Sequence, residues 1–197
     1  MESGLRFSAR DPFDVPGQWD FMELTQRGHS RHTTNLLYGR YLPSGSDRIS
    51  FRCFDYTYET GWAQSRRLHR FGVAAAISPI FFPHLIVRPI SRTPHGANWI
   101  NLDSVPTGDE DFDRTFEVAS LDKGLVGALL STEMRKLIST RPEWTWELTG
   151  NVVAIYRKSL LTIPDDSDHK DSLPDAIDHL CRFFHLVPAP IAGELAA

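Results

Sequence analysis

Residues 48–58, RISFRCFDYTY, constrain the fold more than any other stretch of this 197-residue sequence. Successive side chains of a strand point to opposite faces, and here large apolar residues fall in both alternating sets. One set is Ile49, Phe51 and Cys53, and the other is Phe54, Tyr56 and Tyr58. Either both faces are covered, or a bulge near Cys53 or Phe54 reverses the direction of the side chains. The first alternative requires a central strand of a sheet.

The flanking sequence predicts partner strands for this segment. Residues 33–42 and 66–77 have strand composition, and residues 84–90 form a fourth strand after a connection bracketed by Pro79 and Pro83. Every connection is too short for a crossover helix, so residues 33–90 are expected to form an antiparallel meander.

The later strands are shorter. Residues 112–118 carry apolar groups on one parity and predict a strand, and a further short strand is expected at residues 99–102. Residues 144–149 and 152–156 alternate in the same way, and Gly150–Asn151 between them suits a two-residue turn. These two segments therefore predict a hairpin.

A helical pattern occupies residues 122–139, where apolar residues recur at spacings of three, four and five. Ser120 or Asp122 is expected to cap this segment. A break near Ser131 and Thr132 divides it into two shorter helices.

The last helix is the best-marked element of the chain. Ser172 with Asp175 forms a capping box, and Pro188 ends the helix. Its apolar stripe comprises Leu173, Ile177, Leu180, Cys181 and Phe184. Together these patterns predict an α+β fold: a mainly antiparallel sheet of about six or seven strands, with two C-terminal helical segments packed on one face.

The expected domain organisation is simple. Residues 1–32 form an extended lead-in with a short helix around residues 19–26, residues 33–188 form one α+β domain, and residues 189–197 are a frayed tail.

Composition limits the possible partners. The formal charge of −4 gives no global attraction to nucleic acid, so no nucleic-acid partner is expected. Cys53 and Cys181 lie in apolar patterns and are expected to be buried free thiols. The sequence contains neither a signal peptide nor an apolar run of about 20 residues, which predicts a soluble, cytoplasmic protein without a transmembrane segment.

The metal-site motifs fail at their most discriminating positions. Asp109, Asp111 and Asp113 resemble the start of a calcium loop, but Arg114 occupies the position that needs glycine and Ser120 the position that needs glutamate. The weaker pairs His29 with His32 and Cys181 with His185 have no further ligand at a suitable spacing. No catalytic residue, metal ligand or cofactor is therefore assigned.

Asp55 is the most informative single polar residue. In a regular strand it shares a face with Phe51 and Cys53, where a carboxylate needs a partner such as Arg70 or a backbone amide. We interpret Asp55, Tyr56, Tyr58 and Arg70 as candidate ligand or partner contacts.

The neighbouring residues bear on the same question. The basic group Arg66, Arg67 and Arg70 is interpreted as a solvated strand face. An exposed aromatic patch that involves Tyr56, Tyr58 or Trp62 would favour an interaction surface.

Five short motifs resemble a bacterial family of domains of unknown function. They are NLLYGRY (35–41), FDYTY (54–58), PHLIVRP (83–89), DEDFDRTFEV (109–118) and WELTGNVV (146–153). The resemblance covers residues 11–188. Members of that family are typically the soluble part of small proteins that carry N-terminal membrane helices. The resemblance implies the α+β fold but no reaction and no catalytic set.

Two functional hypotheses follow. The first is a non-enzymatic binding or interaction module with a protein partner, acting near the cytoplasmic face of a membrane and associated with it through that partner. The alternative is a metal-assisted hydrolase or transferase that uses Asp55 or the carboxylates of residues 109–113, which would have to converge on one point.

Overall fold

The computed structural model describes residues 4–41, 49–90, 102–158 and 173–189. Most of the strand expected at residues 99–102, the capping residue Ser172 and nearly all of the C-terminal tail lie outside the described residues.

Seven described strands form an antiparallel sheet in the order β1-β2-β3-β4-β6-β5, with β7 paired to β4. The strands are β1 (Gly4–Arg10), β2 (His29–Tyr41), β3 (Ile49–Thr60), β4 (Arg67–Pro89), β5 (Asp103–Ser104), β6 (Phe116–Ser120) and β7 (Thr145–Lys158). The expected α+β class and strand number are confirmed.

The described helices are mostly short, and side chains cap several of them. They are α1 (Val15–Gln18), α2 (Glu23–Gln26), α3 (Glu110–Thr115), α4 (Lys123–Leu129), α5 (Thr132–Ser139) and α6 (Leu173–Leu186). Asp122 caps α4, because its side chain accepts a hydrogen bond from the Leu125 amide at 2.9 Å. Ser131 begins the next helix, which confirms the predicted break. Among the described residues no helix has the length and apolar character needed to cross a membrane.

Strand β3 lies between β2 and β4, as its apolar pattern predicts. Its pairing with β4 runs without interruption from Ser50 to Thr60, and Cys53 and Phe54 are both buried. Both faces are therefore covered, and no bulge in β3 is needed. The irregularities occur in β2, where the pairing shifts at two places that contain Ser30 and Asn35, residues with positive φ.

Two turn predictions were wrong because a local turn signal was outweighed by pairing along a longer strand. β4 continues through Pro79 and Pro83 as one strand of 23 residues. Its pairing with β3 ends at Ile77 and its pairing with β6 begins at Leu85, so both prolines lie between these ladders. β7 likewise runs straight through Gly150, whose φ of 56° suits a bulge as well as a turn.

The strand expected at residues 112–118 was also partly wrong. Residues Glu110–Thr115 form α3, and the strand begins only at Phe116. Asp109 starts this helix because its carboxylate accepts a hydrogen bond from the Phe112 amide at 3.2 Å. A capping side chain therefore prevailed over the alternating pattern.

The chain divides into two compact units: Met1–Ile77 with Tyr156–Ile177, and Ser78–Ile155 with Asp178–Ala197. In the first unit, the N-terminal lead-in forms β1, α1 and α2, and it covers one face of β3. Trp19 lies against Phe54 with ring centroids 5.8 Å apart, and the Arg52 guanidinium lies 4.5 Å from the Phe13 ring centroid.

In the second unit, α6 packs on the sheet through Phe183. Its ring lies 6.1 Å from Phe82 of β4 and 5.6 Å from Trp146 of β7, measured between ring centroids. A partly buried hydrogen bond of 2.9 Å joins His179 of α6 to Thr140 at the end of α5. Of the predicted apolar stripe, Ile177, Leu180 and Cys181 are buried, whereas Leu173 and Phe184 are half-buried. Phe183, which makes the ring contacts with the sheet, was not part of that prediction.

Candidate interaction surface

The four candidate contact residues lie on opposite faces of the sheet. Directly paired residues of antiparallel strands point to the same face. Arg70 pairs with Thr57, which shares its parity with Asp55, so Arg70 and Asp55 lie on one face. Tyr56 and Tyr58 point to the other face. The structure therefore does not bring the predicted residues together as one site.

Tyr56 and Tyr58 belong to the core of the first unit. Tyr58 stacks on His69 at 4.7 Å and on Phe71 at 5.8 Å between ring centroids. The Tyr56 hydroxyl donates a hydrogen bond to the Thr25 carbonyl at 3.5 Å, and burial raises the pKa of Tyr56 to about 12. Neither tyrosine contributes to an exposed aromatic patch.

An ion pair between Arg27 and Glu23 lies over these tyrosines. Both side chains are largely buried, and Arg27 also hydrogen-bonds to the Tyr58 hydroxyl. This largely buried pair positions the chain between α2 and β2, and breaking it would leave an uncompensated charge. No local pattern indicates this pair, because a Glu and an Arg four residues apart are ordinary on a solvated helix.

Asp55 has a different partner from the predicted one. Its carboxylate accepts a hydrogen bond from the Asn35 side-chain amide at 2.7 Å. Asn35 lies at one of the β2 bulges with φ of 52°, a conformation that Asn tolerates better than most residues. The bulge therefore aims the amide at Asp55 and satisfies a carboxylate that is only 8% exposed.

The carboxylates of residues 109–113 also have structural roles. Asp109 caps α3 and accepts a hydrogen bond from Arg135 Nε at 3.0 Å, and the Phe112 amide leads the effects that lower the pKa of Asp109. Asp113 accepts hydrogen bonds from the Thr107 amide at 3.1 Å and the Thr107 hydroxyl at 2.7 Å. Within the described part of the chain, no three potential metal ligands from His, Cys, Asp or Glu converge.

Asp113 also lines a cleft of about 550 Å³ in the second unit. The cleft is mostly apolar, with Ile90, Val105, Phe116 and Val118 among its lining residues. The other carboxylate that lines it, Glu117, accepts a hydrogen bond of 2.9 Å from Arg88. The acidic groups of the cleft are therefore already engaged.

The hairpin between β3 and β4 ends in an exposed turn. We use the name Trp62 tip for residues 61–70 together with the adjacent start of β2, residues 29–32. All eight residues from Gly61 to Leu68 are exposed. Trp62 is 76% exposed and Leu68 is 52% exposed. Large apolar side chains in such positions indicate a contact surface when they lie together.

Local contacts hold the tip in one conformation. The Trp62 ring stacks on the His29 ring at 4.2 Å with an interplanar angle of 13°. His29 Nε2 donates a hydrogen bond to the Gly61 carbonyl at 2.9 Å. Ser65 Oγ donates to the Trp62 carbonyl at 2.8 Å and accepts from the Trp62 amide at 3.2 Å. An exposed aromatic ring is thus held in place before any partner binds.

The tip is also basic. Arg66, Arg67 and Arg70 are exposed on β4 and its turn, and Arg31 is exposed on β2. Glu59 is the acidic residue between these strands; it forms an ion pair with Arg66, whose hydrogen bond holds the pKa of Glu59 below its usual range.

From the sequence, Trp62 is a possible residue of an exposed patch, and the arginines are expected on a solvated strand face. The cross-strand approach of His29, 33 positions before Trp62, could not be read from local patterns.

The described residues thus define an antiparallel α+β protein with a rigid aromatic and basic hairpin tip. No family model matches the chain, and no curated protein is significantly similar to it. Among solved structures, the chain is similar to the crystal structure of the mycobacterial trehalose monomycolate transport factor A, TtfA, with a TM-score of 0.60 and 12% identity. The alignment covers 94% of this chain and 89% of that chain, which shows a shared fold. The resemblance to a bacterial domain family stays a hypothesis.

Proposed function

We propose that this chain is a non-enzymatic interaction module that works beside a membrane and contacts its partner through the Trp62 tip. The observation that carries the proposal is an exposed tryptophan that is fixed by its own protein. Trp62 stacks on His29 and its turn is closed by Ser65, so little ordering cost remains for a partner to supply. Trp and Arg are the residues that most often dominate binding energy at interfaces.

The carboxylates support a binding role over the hydrolase or transferase alternative. Asp55 is hydrogen-bonded to Asn35, and Asp109 and Asp113 hold the start of α3 and the preceding turn. Recruiting them for metal-assisted chemistry would require breaking these contacts. No observation favours that second function.

The fold neighbour gives the proposal its setting. TtfA is named as a trehalose monomycolate transport factor. We extend this to the chain as an accessory role in transport at the cytoplasmic face of a membrane. The resemblance to a bacterial family with N-terminal membrane helices points in the same direction.

Site-specific photocrosslinking tests the proposal. A photoreactive phenylalanine derivative is placed at Trp62 in one sample and at Phe7 in the other, since Phe7 is 66% exposed on β1 and lies outside the tip. In cells that express the chain, we expect an adduct with a protein or a membrane lipid from position 62 that disappears when Arg67 and Arg70 are both replaced by Ala. Equal adducts from both positions, or none from position 62, would contradict the proposal.

A further inference from the structure

We propose that the Trp62 tip docks on the surface of an anionic phospholipid bilayer. This inference rests on the proposed function and names the chemistry of the surface that the tip contacts. Three features carry it: the apolar side chains at the tip, the arginines around them, and the exposure of every residue of the turn.

The apolar feature is the pair Trp62 and Leu68. An indole ring combines a large apolar body with one polar N–H group, and it therefore prefers the boundary between lipid headgroups and acyl chains. The Trp62 ring is held by His29 below it and leaves most of its surface open. Because it is already ordered, insertion costs little additional conformational entropy.

The charged feature is a set of four exposed arginines, which among the described residues of the tip and the adjoining end of β3 face one carboxylate, Glu59. Arg31 donates its hydrogen bonds to the neutral carbonyls of Gln26 and Gly28, so its charge is not neutralised by these contacts. Glu59 offsets Arg66. Arg67 and Arg70 are therefore the clearest candidates for phosphate contacts, and long arginine side chains can reach headgroups while their stems cover apolar surface.

The charge of the whole chain makes this docking directional. The formal net charge is −4, although the tip is basic. An anionic bilayer repels the acidic remainder and attracts the tip, so the chain would approach with the β3–β4 hairpin first. A uniformly basic protein would bind in many orientations.

The exposure of the turn favours a planar partner over a peptide. Residues 61–68 are all exposed and connect the ends of β3 and β4. A peptide-binding site generally buries its anchor residues in a groove, where surrounding contacts exclude water. A projecting tryptophan with flanking arginines instead suits a flat, deformable layer of headgroups.

Vesicle co-sedimentation tests the inference with the full chain. The probes are vesicles of phosphatidylcholine alone and vesicles in which phosphatidylglycerol is mixed with phosphatidylcholine. The test variants are Trp62→Ala and the double variant Arg67→Ala, Arg70→Ala. Their matched controls are Phe7→Ala and the double variant Arg6→Ala, Arg40→Ala, which remove the same side-chain types from exposed positions of β1 and β2. Thermal denaturation verifies that each variant is folded.

We expect binding to the mixed vesicles only, and weaker binding as salt increases. Each arginine of the tip should contribute about fivefold to the partition coefficient, so the double variant should lose roughly 25-fold, and both controls should bind like the parent. Brominated lipids should quench part of the tryptophan fluorescence of the parent but not of Trp62→Ala. Soluble glycerol phosphate at the same phosphate concentration should not compete, because the indole gains nothing from a free headgroup.

Several outcomes would overturn the inference: no binding to mixed vesicles, equal binding by Trp62→Ala, or full competition by glycerol phosphate. A specific protein adduct from position 62 without vesicle binding would also overturn it, while leaving the proposed interaction function intact. Loss of both the adduct and vesicle binding would refute the two proposals together.

Discussion

Two glycines with nearly the same backbone conformation differ in what surrounds them, and substitution of each by Ala isolates the effect of packing. Gly28 has φ of 60° and Gly150 has φ of 56°. A Cβ atom at Gly28 would lie 2.6 Å from Tyr58 Cδ2 and closer still to the Glu59 carbonyl oxygen. A Cβ atom at Gly150 would meet nothing within 4 Å.

The left-handed conformation costs a non-glycine residue roughly 1–2 kcal/mol, and both variants share this cost. Gly28→Ala adds a clash with the backbone of β3, for which overpacking costs typically about 1–3 kcal/mol. We therefore expect Gly28→Ala to lower the free energy of unfolding by roughly 2–5 kcal/mol and Gly150→Ala by roughly 1–2 kcal/mol. For a chain of this size, 1 kcal/mol corresponds to about 2–4 °C in Tm.

Urea denaturation followed by circular dichroism measures both variants, and equal m-values would show that the unfolded states are comparable. Gly28 directly precedes His29, which supports Trp62, so Gly28→Ala should also weaken any function of the tip. If the two variants were destabilised equally, the contact between Gly28 and β3 would not be tight, and Gly28 would not determine how closely β2 approaches β3.

Asn35→Gly keeps the positive φ but removes the side-chain amide that donates a hydrogen bond to buried Asp55. The free energy of unfolding, measured by urea denaturation, should therefore fall by about 1.5–3 kcal/mol. A fall under about 0.5 kcal/mol would show that water replaces the amide. Burial raises the pKa of Cys53 to about 12; a thiol reagent at pH 8 should therefore modify it only in denaturant, and rapid labelling of the native chain at this position would refute its burial. Burial, together with nearby positive charges, lowers the pKa of His69. The folded chain therefore binds a proton at His69 less readily than the unfolded chain does. Stability should be lost as pH falls from about 6.5 towards that lower pKa. His69→Asn should reduce this loss in thermal melts, and identical pH profiles for the parent and His69→Asn would exclude the effect.

The part of the fold that could be predicted rests on short-range periodicity. Alternation over residues 48–58 identified a central strand, because a strand with apolar groups on both faces has few stable alternatives. Capping residues placed the start of α4 and the break before α5, since the cap and the amides that it satisfies lie within three residues. The buried state of Cys53 and Cys181 followed from the same apolar patterns.

The two wrong turn predictions have a common physical origin. Pro79, Pro83 and Gly150 are strong turn signals, but each is compatible with a strand wherever the ladder does not require its amide or where a bulge is accommodated. Whether a turn forms there depends on the partner strands, which lie far away in the sequence. A local pattern cannot supply that information.

The sequence by itself determined the α+β class, the central place of the strand through Phe54 and the approximate helix positions, because these depend on which side chains alternate or recur along one segment. Only the tertiary structure decided which polar residues meet. It paired Asp55 with Asn35 through a bulge in β2, turned Tyr56 and Tyr58 into the core, and brought His29 beneath Trp62. Such contacts depend on strand register, and a shift of one residue would move every side chain to the other face.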